Sequence, residues 1–400
     1  MRFIDGGSVT TPRGFTAGAV YAGVKTYAQD KLDVGILLSD APTVTAGVFT
    51  LNRVKSKSVV LTQERVETGR VRAVVAVSGI ANAVVEAGMR DAVETTALAA
   101  RQAGLEPEEV AICTTGLIGV ELPMGLVRAG VARVELSPHG GDDFARSIMT
   151  TDRGPKSAAA RVEAGGASVT IGGCVKGAGM IHPQMATMLG FLTTDAAVEP
   201  GFLKQALAHA VDDTFNMVTV DGDGSTNDTV LLLANGQAGN PPLSADSPGA
   251  AVFAAGLHAV ADHLCKQLVR DAEGSERIFS VTVEGARSRE DARAVARAVA
   301  GSSLVKSAIH GSDPNWGRVL AAAGRAGAEI VEEKVTFYIN DVCIMDEGLP
   351  ISFHKDAVVA MMRQPEVTLS LNLGLGEASA TAWGCELSEE YVTFNSAYTT

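Results

Sequence analysis

The run from Lys176 to Asp195, KGAGMIHPQMATMLGFLTTD, carries no charge between its two ends. Glycines crowd its first part and apolar residues its second, with the Ala186-Thr187 step between them. Glycine lets backbone approach backbone, and a hydroxyl placed at such a step has an uncommon option. If Thr187 Oγ1 attacks the carbonyl of Ala186, the chain is severed there and Thr187 becomes a new N-terminus. Its free amine then serves as the base for its own hydroxyl, one way to activate a weak nucleophile. An α-amino group has a reference pKa of roughly 7.7–8.0, so a useful fraction is neutral near pH 7, where a lysine would need a large shift. The plain alternative is a β-branched residue in a strand. The residues alone leave both readings open.

Other polar residues stand at the ends of apolar runs. Val110 to Cys113 reads as a buried strand that runs into Thr114-Thr115-Gly116, a turn able to present a hydroxyl and an N–H. Thr150 and Thr151, in IMTTDRGPK, precede another strand-like run, Ala167 to Ile171, and by default cap a turn. The stretch Asp221 to Thr229, DGDGSTNDT, invites a calcium reading that fails on inspection. Loop position six is Thr226 rather than Gly, and position twelve is Leu232 rather than Glu. It reads as a structural turn without metal. Asp271-Ala272-Glu273-Gly274-Ser275 places carboxylates at a helix C-terminus, against the preference of the helix dipole for cations there. His258 and His263 read as surface or core residues rather than metal ligands. The ten C-terminal residues, YVTFNSAYTT, look like a loose chain end.

Taken together these stretches resemble the ornithine acetyltransferase family, the bifunctional glutamate N-acetyltransferases of arginine biosynthesis. The family pattern is a lysine, a small-residue loop, then Met-Ile-x-Pro-x-Met-Ala-Thr-Met-Leu. Lys176, Gly177 to Gly179 and Met180 to Leu189 match it. Further matches are the Cys-x-Thr-Gly turn, Ile148 to Asp152, Asp221 to Thr229 with Gly224 in place of a threonine, and Gly311 to Arg318.

The resemblance implies self-cleavage between Ala186 and Thr187. It further implies a ping-pong transfer of acetyl from N-acetylornithine to glutamate through acetyl-Thr187. Thr115 and Gly116 take the positions of the oxyanion hole, where one lost donor costs ~10²–10³ in rate. Thr150, with Thr151 as the alternative, Lys176, Glu273, Asn395 and Thr400 take those of the substrate-binding residues. The Glu273 match is partial, because Ala272 and Ser275 replace Gly and Ala. Ala397 and Thr399 depart from the family's Asp and Arg, which weakens the case that the tail folds into the site. No cofactor or metal is implied; acetyl-CoA is left open as a second acetyl donor. The implied assembly is a heterotetramer of two copies of each fragment. Two other readings share some of these features: a related self-cleaving aminopeptidase or amidase, and a non-catalytic small-molecule binding protein.

Composition sets the frame for the elements that must hold these residues. The chain has 400 residues, 46% hydrophobic and 20% charged, with 43 glycines and 5% aromatics. That is long enough for two domains or one large one. A net charge of −13 disfavours a general nucleic-acid binder. The five cysteines are scattered without a CxxC pair, which suits a reducing cytoplasm rather than a disulfide framework. The N-terminus shows no apolar signal segment. No P-loop, HExxH or GxSxG occurs.

Residues 16–80 read mostly as short strands, including 34–38, 45–49 and 71–77. The spacing predicts a helix over 88–103 with Gly104 just beyond its end, its apolar face Ala92, Val93, Ala97, Leu98 and Ala100. A strand to about Thr193 and a helix from Pro200 follow, then a second long helix over 249–270 with Val252 on its buried face. From about 278 the pattern restarts as strand 278–285, helix 288–300, strand 303–309, helix 314–325, strand 334–340, helix 354–363, and strands 366–373 and 377–385. Ser312-Asp313-Pro314 is expected to cap helix 314–325, with Trp316 a structural anchor. The expected fold is α/β, a layered α-β-β-α sandwich of the ornithine acetyltransferase type with a second smaller α/β domain. The expected division is a main catalytic domain over 1–277 and a second domain over 278–400 whose tail returns to the site.

Overall fold

The structure is a computed structural model that describes residues 1–25, 31–182 and 188–397. Its strands form three sheets of six, four and seven strands. Two of them are buried on both faces, and their sequences show why. Strands Ala73–Ile80 and Val110–Leu117 are near-continuous apolar runs, the pattern of strands covered on both sides. Because side chains alternate across a strand, each run feeds two cores. Val74, Ala76, Ala111 and Cys113 join one core; Ala73, Val75, Val77, Val110 and Ile112 join another.

The inner core lies between the four-stranded and six-stranded sheets, closed from the second side by Cys174, Leu189, Phe191, Leu231 and Leu233. Alternate residues of the same strands, Ile171, Leu192, Val230 and Leu232, face outward under helices Pro200–Asp213 and Ala250–Arg270. Helices Lys57–Glu67, Gly88–Ala103 and Met124–Val131 supply Leu61, Ala92, Ala99, Ala100, Val127 and Val131 to the opposite outer layer. The layers therefore run helix, sheet, sheet, helix, the α/β sandwich expected from the sequence. The seven-stranded sheet takes its strands from Ile278 onward together with Val218–Thr219, around a core of its own.

Several local expectations are corrected. Residues 303–309 form a helix, Ser303–His310, not a strand. Val305 and Ile309 are β-branched, but their spacing of four puts both on one helical face, and Ser302 caps it by accepting from Val305 N. Helix Lys57–Glu67 lies within the region read as strands; Ser56 caps it through Val59 N at 3.2 Å. The helix expected from 314 begins at Trp316, and its cap is Asn315, which accepts from Arg318 N at 3.1 Å. Trp316 is partly buried against the third sheet's core, as an anchor would be. In helix Gly88–Ala103 the buried face is Ala92, Thr95, Thr96, Ala99 and Ala100, and Val93 is exposed; Val252 is likewise exposed.

Helix Ala250–Arg270 buries Phe253, Leu257, Val260, Ala261, Leu264 and Leu268. Phe253 is fully buried, tilted against Phe202 with ring centroids 6.1 Å apart. Phe253→Ala is expected to cost about 3–5 kcal/mol, the usual loss for emptying a buried phenylalanine. A drop in the denaturant midpoint with unchanged far-UV circular dichroism would check it.

Candidate active site

Sheet register brings the distant motifs to one place. Strand Leu189–Thr194 lies between strands Ala167–Lys176 and Thr229–Ala234, with Leu189 opposite Lys176 on one side and Thr229 on the other. Lys176-Gly177, Met188-Leu189 and Asp228-Thr229 therefore leave the six-stranded sheet at the same end. In the facing sheet, Ser78 and Gly79 sit opposite Thr115 and Gly116.

At that end lies a cavity of about 90 Å³. Thr115, Gly116, Thr150, Thr151, Lys176, Glu273 and Asn395 all line it, joined by Gly179, Met180 and Asn227 among others. The structure thus gathers these predicted site residues from five separate segments. Ala186, Thr187 and Thr400 lie outside the described residues. Thr150 and Thr151 both reach the wall, so geometry does not choose between them.

Lys176 is 2% exposed, and its Nζ donates to Thr115 Oγ1 at 3.2 Å. Burial lowers its pKa from the ordinary lysine value, opposed chiefly by the charge of Asp152. Asp152 was not singled out from the sequence, yet it organises the floor of the site. Its Oδ1 accepts from Lys156 Nζ at 2.5 Å and from Gly177 N at 2.7 Å, and its Oδ2 accepts from Thr150 N at 3.0 Å. The readable signal was its position two residues after Thr150 and four before Lys156. Burial by itself would raise the Asp152 pKa. Lys156, Lys176 and the Gly177 N–H outweigh burial and hold the carboxyl at about 2. Lys156 also meets Asp271 at 2.5 Å, which accounts for a carboxylate at the end of helix Ala250–Arg270.

Gly116 has φ +128° and packs on Gly79, φ +113°; a Cβ at 116 would collide with the Gly79 carbonyl. Thr114 points the other way. Its Oγ1 donates to the Ala81 carbonyl at 2.7 Å, and Asn227 Nδ2 donates to the Ala81 and Thr114 carbonyls at 2.6 and 2.8 Å. The turn after Cys113 is thereby locked with Thr115 facing the cavity.

The loop Asp221 to Asp228 acts as a clamp. Asp221 accepts from Met180 N at 2.5 Å and Ile181 N at 2.9 Å; Asp228 Oδ1 accepts from Met188 N at 2.9 Å. One loop therefore grips the chain on both sides of residues 183–187. Asp228 Oδ2 is buried without a hydrogen-bond partner among the described residues. Burial pushes its pKa well above the usual carboxylate range.

The last described residues form helix Glu389–Ala397. None of its side chains is fully buried; Tyr391 packs partly buried against the core, and polar contacts add to that hold. Tyr391 OH donates to Asp221 Oδ2 at 3.1 Å, and Asn395 Nδ2 donates to Glu273 Oε2 at 2.9 Å. Glu273 in turn lies flat against Gly179, where any Cβ would strike its carboxylate, and its N–H donates to the Ala178 carbonyl at 2.9 Å. Among the described residues there is no cluster of three metal-ligating side chains, and no helix is long and apolar enough to cross a membrane.

The family model for ArgJ matches residues 16–400. The chain belongs to the ArgJ family. It is 51% identical over 403 residues to the arginine biosynthesis bifunctional protein ArgJ of Symbiobacterium thermophilum, with all of both chains covered. It is 39% identical over 396 residues to that of Bacillus subtilis, covering 98% of this chain and 97% of that one. A crystal structure of the Bacillus halodurans ArgJ matches with a TM-score of 0.52 at 39% identity. That match covers 53% of this chain and 100% of the solved one. The protein is thus an acyltransferase of arginine biosynthesis.

Two outcomes test this geometry. Gly116→Ala is expected to lower acyl transfer about 10²-fold or more, because the turn that presents Thr115 cannot keep its shape; steady-state rates check it. The depressed pKa of Asp152 means that the unfolded chain takes up a proton before the folded one does. Its stabilisation is complete above about 3.8 and fades as pH falls toward about 2. Asp152→Asn should remove about one proton from the acid-unfolding slope in that window. It should also cost about 3–5 kcal/mol at pH 7, because Lys156 loses a buried partner.

Proposed function

We propose that this chain moves the acetyl group of N-acetylornithine to glutamate through an acetyl ester on Thr187, after cutting itself between Ala186 and Thr187. The observation that carries the reading is the convergence of Thr115, Gly116, Lys176 and Glu273 on one cavity where strand Leu189–Thr194 begins. Met188, the residue that follows Thr187 in sequence, is held by Asp228, which supports the reading.

Thr187 Oγ1 attacks the acetyl carbonyl and its own amine takes the proton. The oxyanion of the tetrahedral intermediate is received by the Thr115 hydroxyl and the Gly116 N–H. Lys176, donating to Thr115 Oγ1, turns that hydroxyl's own proton away from itself and toward the cavity. Collapse of the intermediate returns the proton to the departing α-amine, releasing ornithine and leaving acetyl-Thr187. The α-amine of glutamate then attacks the ester, and N-acetylglutamate leaves as Thr187 recovers its proton. Lys176 supplies charge for the α-carboxylate that both substrates carry. Glu273, positioned by Asn395, receives the side-chain ammonium of ornithine, and Thr150 lines the wall of the same cavity.

Residues 187–400 make up about the same share of this chain that the Bacillus halodurans structure covers with its whole length, 53%. That agreement supports a severed chain. The fragments assemble as two copies of each, and the enzyme works in the cytoplasm. Acetyl-CoA serves as a second donor, in keeping with the word bifunctional in the relatives' names.

Denaturing mass spectrometry is expected to show fragments 1–186 and 187–400, and Thr187→Ala to abolish both cutting and transfer. An uncut, fully active variant would overturn the mechanism. Product analysis with N-acetylornithine alone, then with glutamate or acetyl-CoA added, separates transfer from hydrolysis and one donor from two.

A further inference from the structure

The proposed reaction poses a recognition problem. The donor's side chain ends in a cation and the acceptor's in an anion, yet both amines must reach one nucleophile. Glu273 suits the cation, and nothing in the first cavity beyond Lys176 suits an additional carboxylate.

A second cavity of about 370 Å³ adjoins the first across a shared wall, Thr150 and Thr151. Glu273 lines only the first; Lys25 and Lys31 line only the second. Lys25 is 5% exposed. Its Nζ donates to the Leu32 carbonyl at 2.7 Å, and among the described residues no carboxylate lies within ion-pair distance of it. Asp33, the nearest acid in sequence among the described residues, accepts from the N–H groups of Ala22, Gly23 and Lys25 at 2.6, 3.0 and 3.1 Å. Asp152, also on this wall, is held by Lys156, Gly177 N and Thr150 N. A buried ammonium with one neutral acceptor is costly unless something anionic joins it.

We infer that this second cavity seats the side-chain carboxylate of the acceptor, with Lys25 as its charged partner. The inference rests on the acetyl-transfer reading and deepens it. Donor and acceptor then share the Lys176 end of the site and diverge beyond it, the ornithine ammonium toward Glu273 and the glutamate carboxylate past Thr150 and Thr151 toward Lys25. Burial lowers the Lys25 pKa to about 8, against the pull of Asp33, so the group is still mostly charged at neutral pH. An incoming carboxylate would strengthen that charge. Phosphates of a thioester donor offer the same anionic chemistry, and the assay must separate the two.

The test compares wild type, Lys25→Met and Lys25→Arg in three arms. These are acetyl transfer to glutamate against glutamine, exchange of labelled ornithine into N-acetylornithine, and acetylation of glutamate from acetyl-CoA. Wild type should prefer glutamate over glutamine by about tenfold or more in kcat/KM, an effect of losing one charged partner. Lys25→Met should erase that preference mainly through KM, with ornithine exchange kept within about threefold; Lys25→Arg should retain the preference. Equal use of glutamate and glutamine by wild type overturns the inference without any variant. So does a Lys25→Met protein whose preference is unchanged, or whose exchange falls as far as its glutamate transfer. Loss confined to the acetyl-CoA arm assigns the cavity to phosphate and also overturns it. Absence of ornithine exchange in wild type instead defeats the acetyl-transfer reading on which this one stands.

Discussion

The carboxylate of Asp152 is the constraint on which the site depends. It is buried completely at its side chain, and each of its contacts belongs to a different part of the machinery. Lys156 anchors strand Lys156–Ala164, Gly177 begins the loop after Lys176, and Thr150 forms the wall between the two cavities. A buried charge is tolerable only with partners of good geometry. Here the partners are the pieces that must be held still. The same charge opposes the desolvation of Lys176, whose side chain lines the first cavity. Asp152 is therefore less a source of net stability than a means of fixing several chain segments relative to one another.

Backbone supplies the rest of the positioning. Asp221 and Asp228 hold N–H groups at residues 180, 181 and 188, all on the two sides of the segment that contains the Ala186-Thr187 bond. A strand paired on both edges fixes where residue 189 begins, and this loop fixes how the chain enters it. Gly79 and Gly116 pack on each other in adjacent strands beside Thr115, and Gly179 lets the Glu273 carboxylate lie on bare backbone. Asn395 orders that carboxylate from an exposed helix without burying a side chain of its own.

The sandwich was legible because its strands are apolar throughout and its helices are periodic; runs such as Ala73–Ile80 admit few other readings. Helix Ser303–His310 was misread because Val305 and Ile309 favour strands intrinsically, and only their spacing and the Ser302 cap argue otherwise. The helix at 57–67 was hidden by a modest apolar face of Val59 and Leu61. Among site residues, those with distinctive neighbours, Thr115-Gly116, Lys176 and Glu273, could be named from the chain. Asp152 and Asp228 could not be given roles. Their importance arises from long-range pairing, with the Gly177 N–H in one case and with the Met188 N–H in the other. A sequence shows that an aspartate is present; it does not show that the residue is dry, or which N–H groups it faces.

The charge balance of the buried site follows from these pairings and bears on its chemistry. Lys25, Lys156 and Lys176 are all buried around it, and they face the buried Asp33 and Asp152 and the less buried Asp271 and Glu273. Burial pushes the carboxyl of Asp228 well above the usual carboxylate range. Buried lysines therefore sit among carboxyl groups inside a protein whose net charge is −13. Field lines from buried lysines are screened little by solvent, so a substrate bearing a carboxylate meets its counter-charge only after entering. The surrounding negative surface favours no such ligand at long range. Recognition is thus concentrated at contact distance, where a carboxylate, an amine and an acyl group must fit together before any of them is held.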